Sequence, residues 1–147
     1  MTQIPSVVKV ISTLGLFPFL VGVVATLKIS ILHPDLNKFL IDLSILYGAL
    51  ILSFLGGCLF GFECLNKPVS KTYKYWVAIL PSLWALLALQ IANFSASILA
   101  IGFLLVFEAD RRAHATGVTP NWWLSLRLPL TATVILSLTI IGFNHAD

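Results

Sequence analysis

Apolar and polar positions follow one another along this chain in long blocks, not in the short periods of a soluble amphipathic helix or a half-buried strand. Five apolar runs stand out, at about 10–31, 40–62, 75–90, 95–106 and 122–143. A helix that spans a bilayer needs roughly 20 such residues. The first, second and fifth runs meet that length by themselves, and the third and fourth fall short. The segment between those two, IANFSAS at 91–97, is neutral and mildly polar. One helix through it would run about thirty residues, beyond the range of a single span. A tight hairpin fits better. The expected fold is all-α, one domain over residues 1–147, an integral membrane bundle of five transmembrane helices, with four helices as the alternative.

Punctuation within the runs refines this. Pro18, Pro81 and Pro129 lie inside apolar stretches, where neighbouring groups can satisfy the carbonyls a proline frees. They are expected to kink helices without ending them. Pro34, Pro68 and Pro120 lie in polar connections and mark turns. The first run is too long for a signal-peptide core, and Val23-Val24-Ala25 is a poor cleavage site, so it is expected to be retained as a helix.

Composition supports a lipid solvent. Hydrophobic residues make up 59% of the 147 and charged residues only 10%, against about 25% charged in a typical soluble domain. A soluble fold of this size buries too little surface to hide so much apolar material. The formal net charge is +3, with no like-charge block or basic-aromatic interleaving of the kind that binds nucleic acid.

The placing of the charges says more than their sum. With five helices, one side of the membrane receives Lys9, Lys67, Lys71, Lys74, Arg111, Arg112 and Arg127, and the other only Lys28 and Lys38. The positive-inside rule then puts the N-terminus in the cytoplasm, or the equivalent compartment, and the C-terminus outside. Tyr73, Tyr75, Trp76, Trp122 and Trp123 gather at the same side, in the layer that such rings prefer.

Within the second run Ala49, Ser53, Gly57 and Gly61 recur every four residues, flanked by Gly48 and Gly56. In lipid, helices associate through close packing of small side chains. The expectation is a packing ridge at Ala49, Ser53, Gly56, Gly57 and Gly61, which makes this helix the centre of the bundle. Asp42, at the start of that run, is expected to cap the helix N-terminus, where an anion is favoured.

Polar groups collect near the basic side. Glu63 closes the second run, Glu108, Asp110, Arg111 and Arg112 follow the fourth, and Arg127 lies one turn inside the fifth, four residues after Trp123. Ionisable groups within a membrane generally pair or serve a function. Arg127 is the deepest, and Asp110 or Glu108 is its expected partner, with Glu63 as the alternative. The arrangement reads first as a clamp between helices and second as a polar pocket for an anionic headgroup or small anion.

Other chemistry has no visible basis. His33, His114 and His145 fall in loops or tails, without spacing for a haem or a metal. Cys58 and Cys64 are separated by a helical rise of about 9 Å, beyond disulfide reach. No nucleophile elbow, phosphate loop or dinucleotide fingerprint is present, so no catalytic, cofactor or metal residues are assigned and no enzymatic activity is expected. Asn93-Phe-Ser95 matches a glycosylation sequon too close to the bilayer to be used.

Three segments carry a family resemblance: GLFPFL at Gly15–Leu20, YGALILSFLGG at Tyr47–Gly57 and WWLSLRLPLT at Trp122–Thr131. Together they resemble the uncharacterised membrane-domain family that includes mitochondrial transmembrane protein 69 and many small bacterial inner-membrane proteins. The likeness runs over nearly the whole chain, and the central segment is its most specific part. Phe60 and Trp123 stand where that family usually has tryptophan and tyrosine, changes that keep the aromatic character. The resemblance implies a bacterial inner-membrane or mitochondrial membrane protein, with Gly15, Pro18, Tyr47, Gly48, Ser53, Gly56, Gly57, Asp110 and Arg127 as shared positions. It implies no activity. The expected role is accessory or structural, through contact with a larger membrane complex or a lipid. The alternative is a small transporter or ligand-binding sensor with a cytoplasm-facing pocket near Arg127.

Overall fold

The computed structural model describes residues 3–27, 33–65 and 71–145. Apart from one 3-10 turn at Ala92–Phe94, its elements are α-helices: α1 (Ser6–Leu14), α2 (Phe17–Thr26), α3 (Pro34–Leu65), α4 (Thr72–Gln90), α5 (Ser95–Ala115) and α6 (Trp123–His145). Taken as continuous spans, five stretches are long and apolar enough to cross a membrane: Ser6–Thr26, Pro34–Leu65, Thr72–Gln90, Ala92–Ala115 and Trp123–Asn144. The count is five and not four because α4 ends at Gln90. Ile91 leaves the helical region (φ −112°, ψ 74°), and the 3-10 turn reverses the chain into α5.

Several boundaries differ from those read off hydropathy. The first span is two helices, broken at Gly15 and Leu16, and Pro18 lies in the first turn of α2 instead of kinking a continuous helix. That position costs nothing, since a first-turn N–H has no intrahelical partner. Pro34 likewise opens α3 and does not mark a turn. The helix therefore starts eight residues before Asp42, which is exposed on its flank and caps nothing; Asp35 is the acid in the first turn. Pro81 and Pro129 lie inside α4 and α6, and Pro68 falls outside the described residues. His114 belongs to the last turn of α5, not to a loop. Hydropathy windows stop where charge begins, whereas backbone hydrogen bonding carries a helix through its polar end.

Helices α2, α3, α5 and α6 form a closed ring, each packed on the next, and α4 fills the outer groove between α3 and α5. Helix α1 touches α6 alone among its principal contacts and buries no residue. The interior is made by Phe19, Leu52, Leu99, Phe103, Leu138 and Ile141, all almost completely covered. Phe19 meets the edges of Tyr47 and Phe103 at centroid distances of 5.4 and 6.3 Å. Outward faces are as oily as inward ones: Leu80, Leu83, Leu86 and Leu87 line the outside of α4. A helix apolar all round belongs in a large core or in lipid.

The packing ridge turns out narrower than its sequence pattern. A Cβ on Gly56 would sit 2.6 Å from the carbonyl oxygen of Ala78 and 3.2 Å from Pro81. This is where the backbones of α3 and α4 approach. Ala49 is buried, and Ser53 donates to Ser82 of α4 at 2.8 Å. Gly57 and Gly61 have nothing within 4 Å of a Cβ and are exposed. The four-residue stripe drifts on a 3.6-residue helix, so its lower half leaves the α4 contact and faces outward.

Candidate functional site

The polar ends of α3, α4, α5 and α6 come together, and the α5–α6 turn sets their register. After Ala115 the chain reaches Gly117 at φ 73°, a left-handed conformation that glycine takes without steric cost. The Gly117 N–H donates to the His114 carbonyl and the Val118 N–H to the Ala113 carbonyl, at 2.9 and 3.0 Å. These two bonds are the Schellman ending of a helix. Val118 then packs on the core, and His114 Nδ1 lies 3.1 Å from Thr119 Oγ1. The reversal brings the first two turns of α6 against the last turns of α5.

There Arg127 and Asp110 meet. Arg127 Nε donates to Asp110 Oδ2 at 2.9 Å, and Trp123 Nε1 donates to Asp110 Oδ1, also at 2.9 Å. Asp110 is 1% exposed and Arg127 6%. Trp123 and Arg127 are four residues apart and so share a face of α6. Trp123 also sets its edge against Phe62 of α3, at a centroid distance of 5.0 Å. One carboxylate thus joins α5 to α6, and one indole ties that pair to α3. Two neighbouring polar atoms, Arg127 Nη2 and Thr131 Oγ1, are buried without a hydrogen-bond partner among the described residues. Cys58 lies within electrostatic reach of Asp110 and Arg127.

The other two expected partners of Arg127 are engaged elsewhere. Glu108 takes Arg111 in a two-pronged contact (Nε to Oε2 at 2.8 Å, Nη2 to Oε1 at 3.0 Å) and Arg112 Nε at 2.8 Å. It faces out from α5 because it stands two residues, about 200° of helix, from Asp110. Glu63, buried on α3, has Lys74 Nζ at 3.3 Å from Oε1, and Tyr75 of α4 donates to its backbone carbonyl at 3.5 Å. Neither acid touches Arg127, so the four candidates form three separate ion-pair groups and not one pocket. Sequence reading placed Trp123 in the headgroup layer and missed it as a donor to Asp110; its four-residue spacing from Arg127 was the available signal. Lys74 was read as a loop cation, and its pairing with Glu63 of α3 had no local signal. Cys58 and Cys64 are both free thiols.

Beside these pairs a cleft of about 670 Å³ opens between α3, α4 and α5. Glu63, Lys74, Glu108 and Arg112 stand at its polar end, and Leu83, Leu87 and Leu105 line its apolar length. Trp84 forms part of its wall, held by a 2.7 Å hydrogen bond from Nε1 to the Ile98 carbonyl. That ring fits because Gly102 has no side chain: a Cβ there would fall 2.6 Å from Trp84 Cδ1. Asp110 and Arg127 do not line this cleft.

These features define a class: an all-helical bundle with five apolar helices of membrane-spanning length, clamped at one end by buried ion pairs. The particular family follows from its sequence pattern, since residues 4–142 match the family described as protein of unknown function (DUF3429), and the chain belongs to it. No curated protein and no solved structure matches the chain.

Proposed function

We propose that this is a non-catalytic integral membrane protein, an accessory or assembly component that works through contact with a membrane partner or a lipid. The observation that carries the proposal is the closure of the Asp110 site. Both carboxylate oxygens accept from α6, so the deepest ionisable groups serve to hold helices together. The extensive apolar outer surface supports a working environment of lipid and other membrane helices. The resemblance of the three segments supports a bacterial cytoplasmic membrane as the location, or a mitochondrial membrane for a eukaryotic chain.

The test is purification of the tagged protein in native nanodiscs, with mass spectrometry of what is retained. A stoichiometric protein or lipid is the expected result, and an empty, monomeric particle would count against the accessory role. The basic residues favour an N-terminus inside and a C-terminus outside. With Cys58 and Cys64 replaced by serine, a single cysteine added at the C-terminus should react with a membrane-impermeant maleimide on intact cells or spheroplasts. Labelling only after lysis would reverse the orientation.

A second reading, a transporter or sensor with a polar pocket at Arg127, draws on the buried Arg127 Nη2 and Thr131 Oγ1. It requires that Arg127→Ala strip a small ligand from a bundle that stays folded.

A further inference from the structure

We propose that the α3–α4–α5 cleft is a binding site for one anionic phospholipid, with its headgroup at Lys74 and Arg112 and an acyl chain along Trp84. The proposal rests on the membrane reading above and gives it a specific ligand.

Size and shape come first. A volume of about 670 Å³ falls within the roughly 300–1,000 Å³ of small-molecule sites. Trp84 stands ten residues along α4 from Lys74, a rise of about 15 Å. That equals one leaflet of the roughly 30 Å hydrocarbon core, so a lipid anchored at Lys74 lays the lower half of its chain against the indole. Between them the walls are Val77, Leu80, Leu83 and Leu105, with Leu87 just beyond Trp84, and these present no polar side chain to an acyl chain.

Charge selects the headgroup. Glu63 is matched by Lys74, and Glu108 is matched by Arg111 and Arg112 together. Lys74 and Arg112 line the cleft with the two carboxylates, and Arg111, outside the lining, shares Glu108, so the ion-paired cluster at this end holds two carboxylates against three cations, one positive charge in excess. Arg112 meets Glu108 through Nε, and its side chain remains 78% exposed. The terminal guanidinium nitrogens are therefore presented to the mouth, in a geometry suited to a phosphodiester. The N-terminus of α4 lies at the same end, and no side chain caps it. Its leading N–H groups add partial positive charge there. A zwitterionic lipid brings its own ammonium and gains less from this field than a lipid with net charge −1.

Quenching of tryptophan fluorescence by acyl chains brominated in their lower half tests this. The purified protein is reconstituted with brominated phosphatidylglycerol or brominated phosphatidylcholine in a non-brominated phosphatidylcholine background. Subtraction of the Trp84→Phe variant isolates the Trp84 signal. Trp84 should be quenched at a mole fraction of phosphatidylglycerol at least about fivefold lower than of phosphatidylcholine, the effect of one cation beside an anionic lipid. Lys74→Gln with Arg112→Gln should abolish that preference, while Lys74→Arg with Arg112→Lys keeps it. Equal quenching by the two lipids in the parent protein overturns the proposal without reference to any variant. So does a preference that survives the glutamine pair, or a Trp84 that neither lipid quenches while Trp76 and Trp122 respond, the outcome expected if a second copy of the chain fills the cleft. If no tryptophan responds to either lipid, the membrane reading fails as well.

Discussion

Replacing Arg127 by alanine is expected to destabilise the bundle by about 3–5 kcal/mol, the range for removing one partner of a buried ion pair. The cause is what remains behind. Asp110 is almost fully covered and would keep only the Trp123 indole as a donor. A buried carboxylate with one neutral donor is poorly compensated for its lost hydration. Asp110→Asn should also destabilise the bundle, because its single amide oxygen replaces two acceptor oxygens, its NH2 faces one of the donors Arg127 Nε and Trp123 Nε1, and the Arg127 charge loses its counter-ion. Trp123→Phe removes the indole N–H while leaving a ring for Phe62, and its effect should be about 1 kcal/mol. Unfolding by sodium dodecyl sulfate in mixed micelles, followed by circular dichroism, measures all three. A loss below about 1 kcal/mol for Arg127→Ala would mean that the pair is not a clamp. A ligand lost from that intact variant would then favour the sensor reading.

The second large effect separates two adjacent glycines. Gly56→Leu should open the α3–α4 contact, since even a Cβ at that position lies 2.6 Å from the Ala78 carbonyl oxygen and the branch beyond it has no room. Overpacking of this kind costs about 1–3 kcal/mol and more where backbone must move. The obstacle here is backbone, and Pro81 stiffens the same turn. Gly57→Leu places the same side chain in open space and should be neutral or slightly stabilising, because leucine forms helix better than glycine. The four-residue repeat by itself predicts the reverse, with Gly57→Leu disruptive. Equal loss from the two variants, measured by the same unfolding assay, would show that something outside this chain covers Gly57.

This contrast marks the reach of a single sequence. Hydropathy, span length and the distribution of basic residues are sums along the chain, and each acts on its own segment. They were enough to yield an all-helical bundle with five spans, including the break between α4 and α5. They also narrowed the partners of Arg127 to three acids, because few charged residues exist to choose among. Helix ends were less legible: hydropathy falls where charge starts, but α3 and α5 run on by backbone hydrogen bonding, past Asp42 at one end and Val106 at the other.

What the tertiary structure alone decided is which side of each helix meets a neighbour. A stripe of small residues can face α4 or lipid, and the helix is equally content with either. Only the seating of Ala78 and Pro81 against Gly56 selects the upper half of that stripe and releases Gly57 and Gly61. The choice of Asp110 over Glu108 is of the same kind. The two acids stand two residues apart, on opposite sides of α5, and the Gly117 turn aims α6 at one of them. The cleft follows too, since it is a gap among three helices with no counterpart in any local stretch of sequence. Composition and spacing act within a segment, whereas facing, pairing and cavities depend on how separate segments are rotated against one another, and in lipid that rotation is set by close packing and a few buried polar bonds.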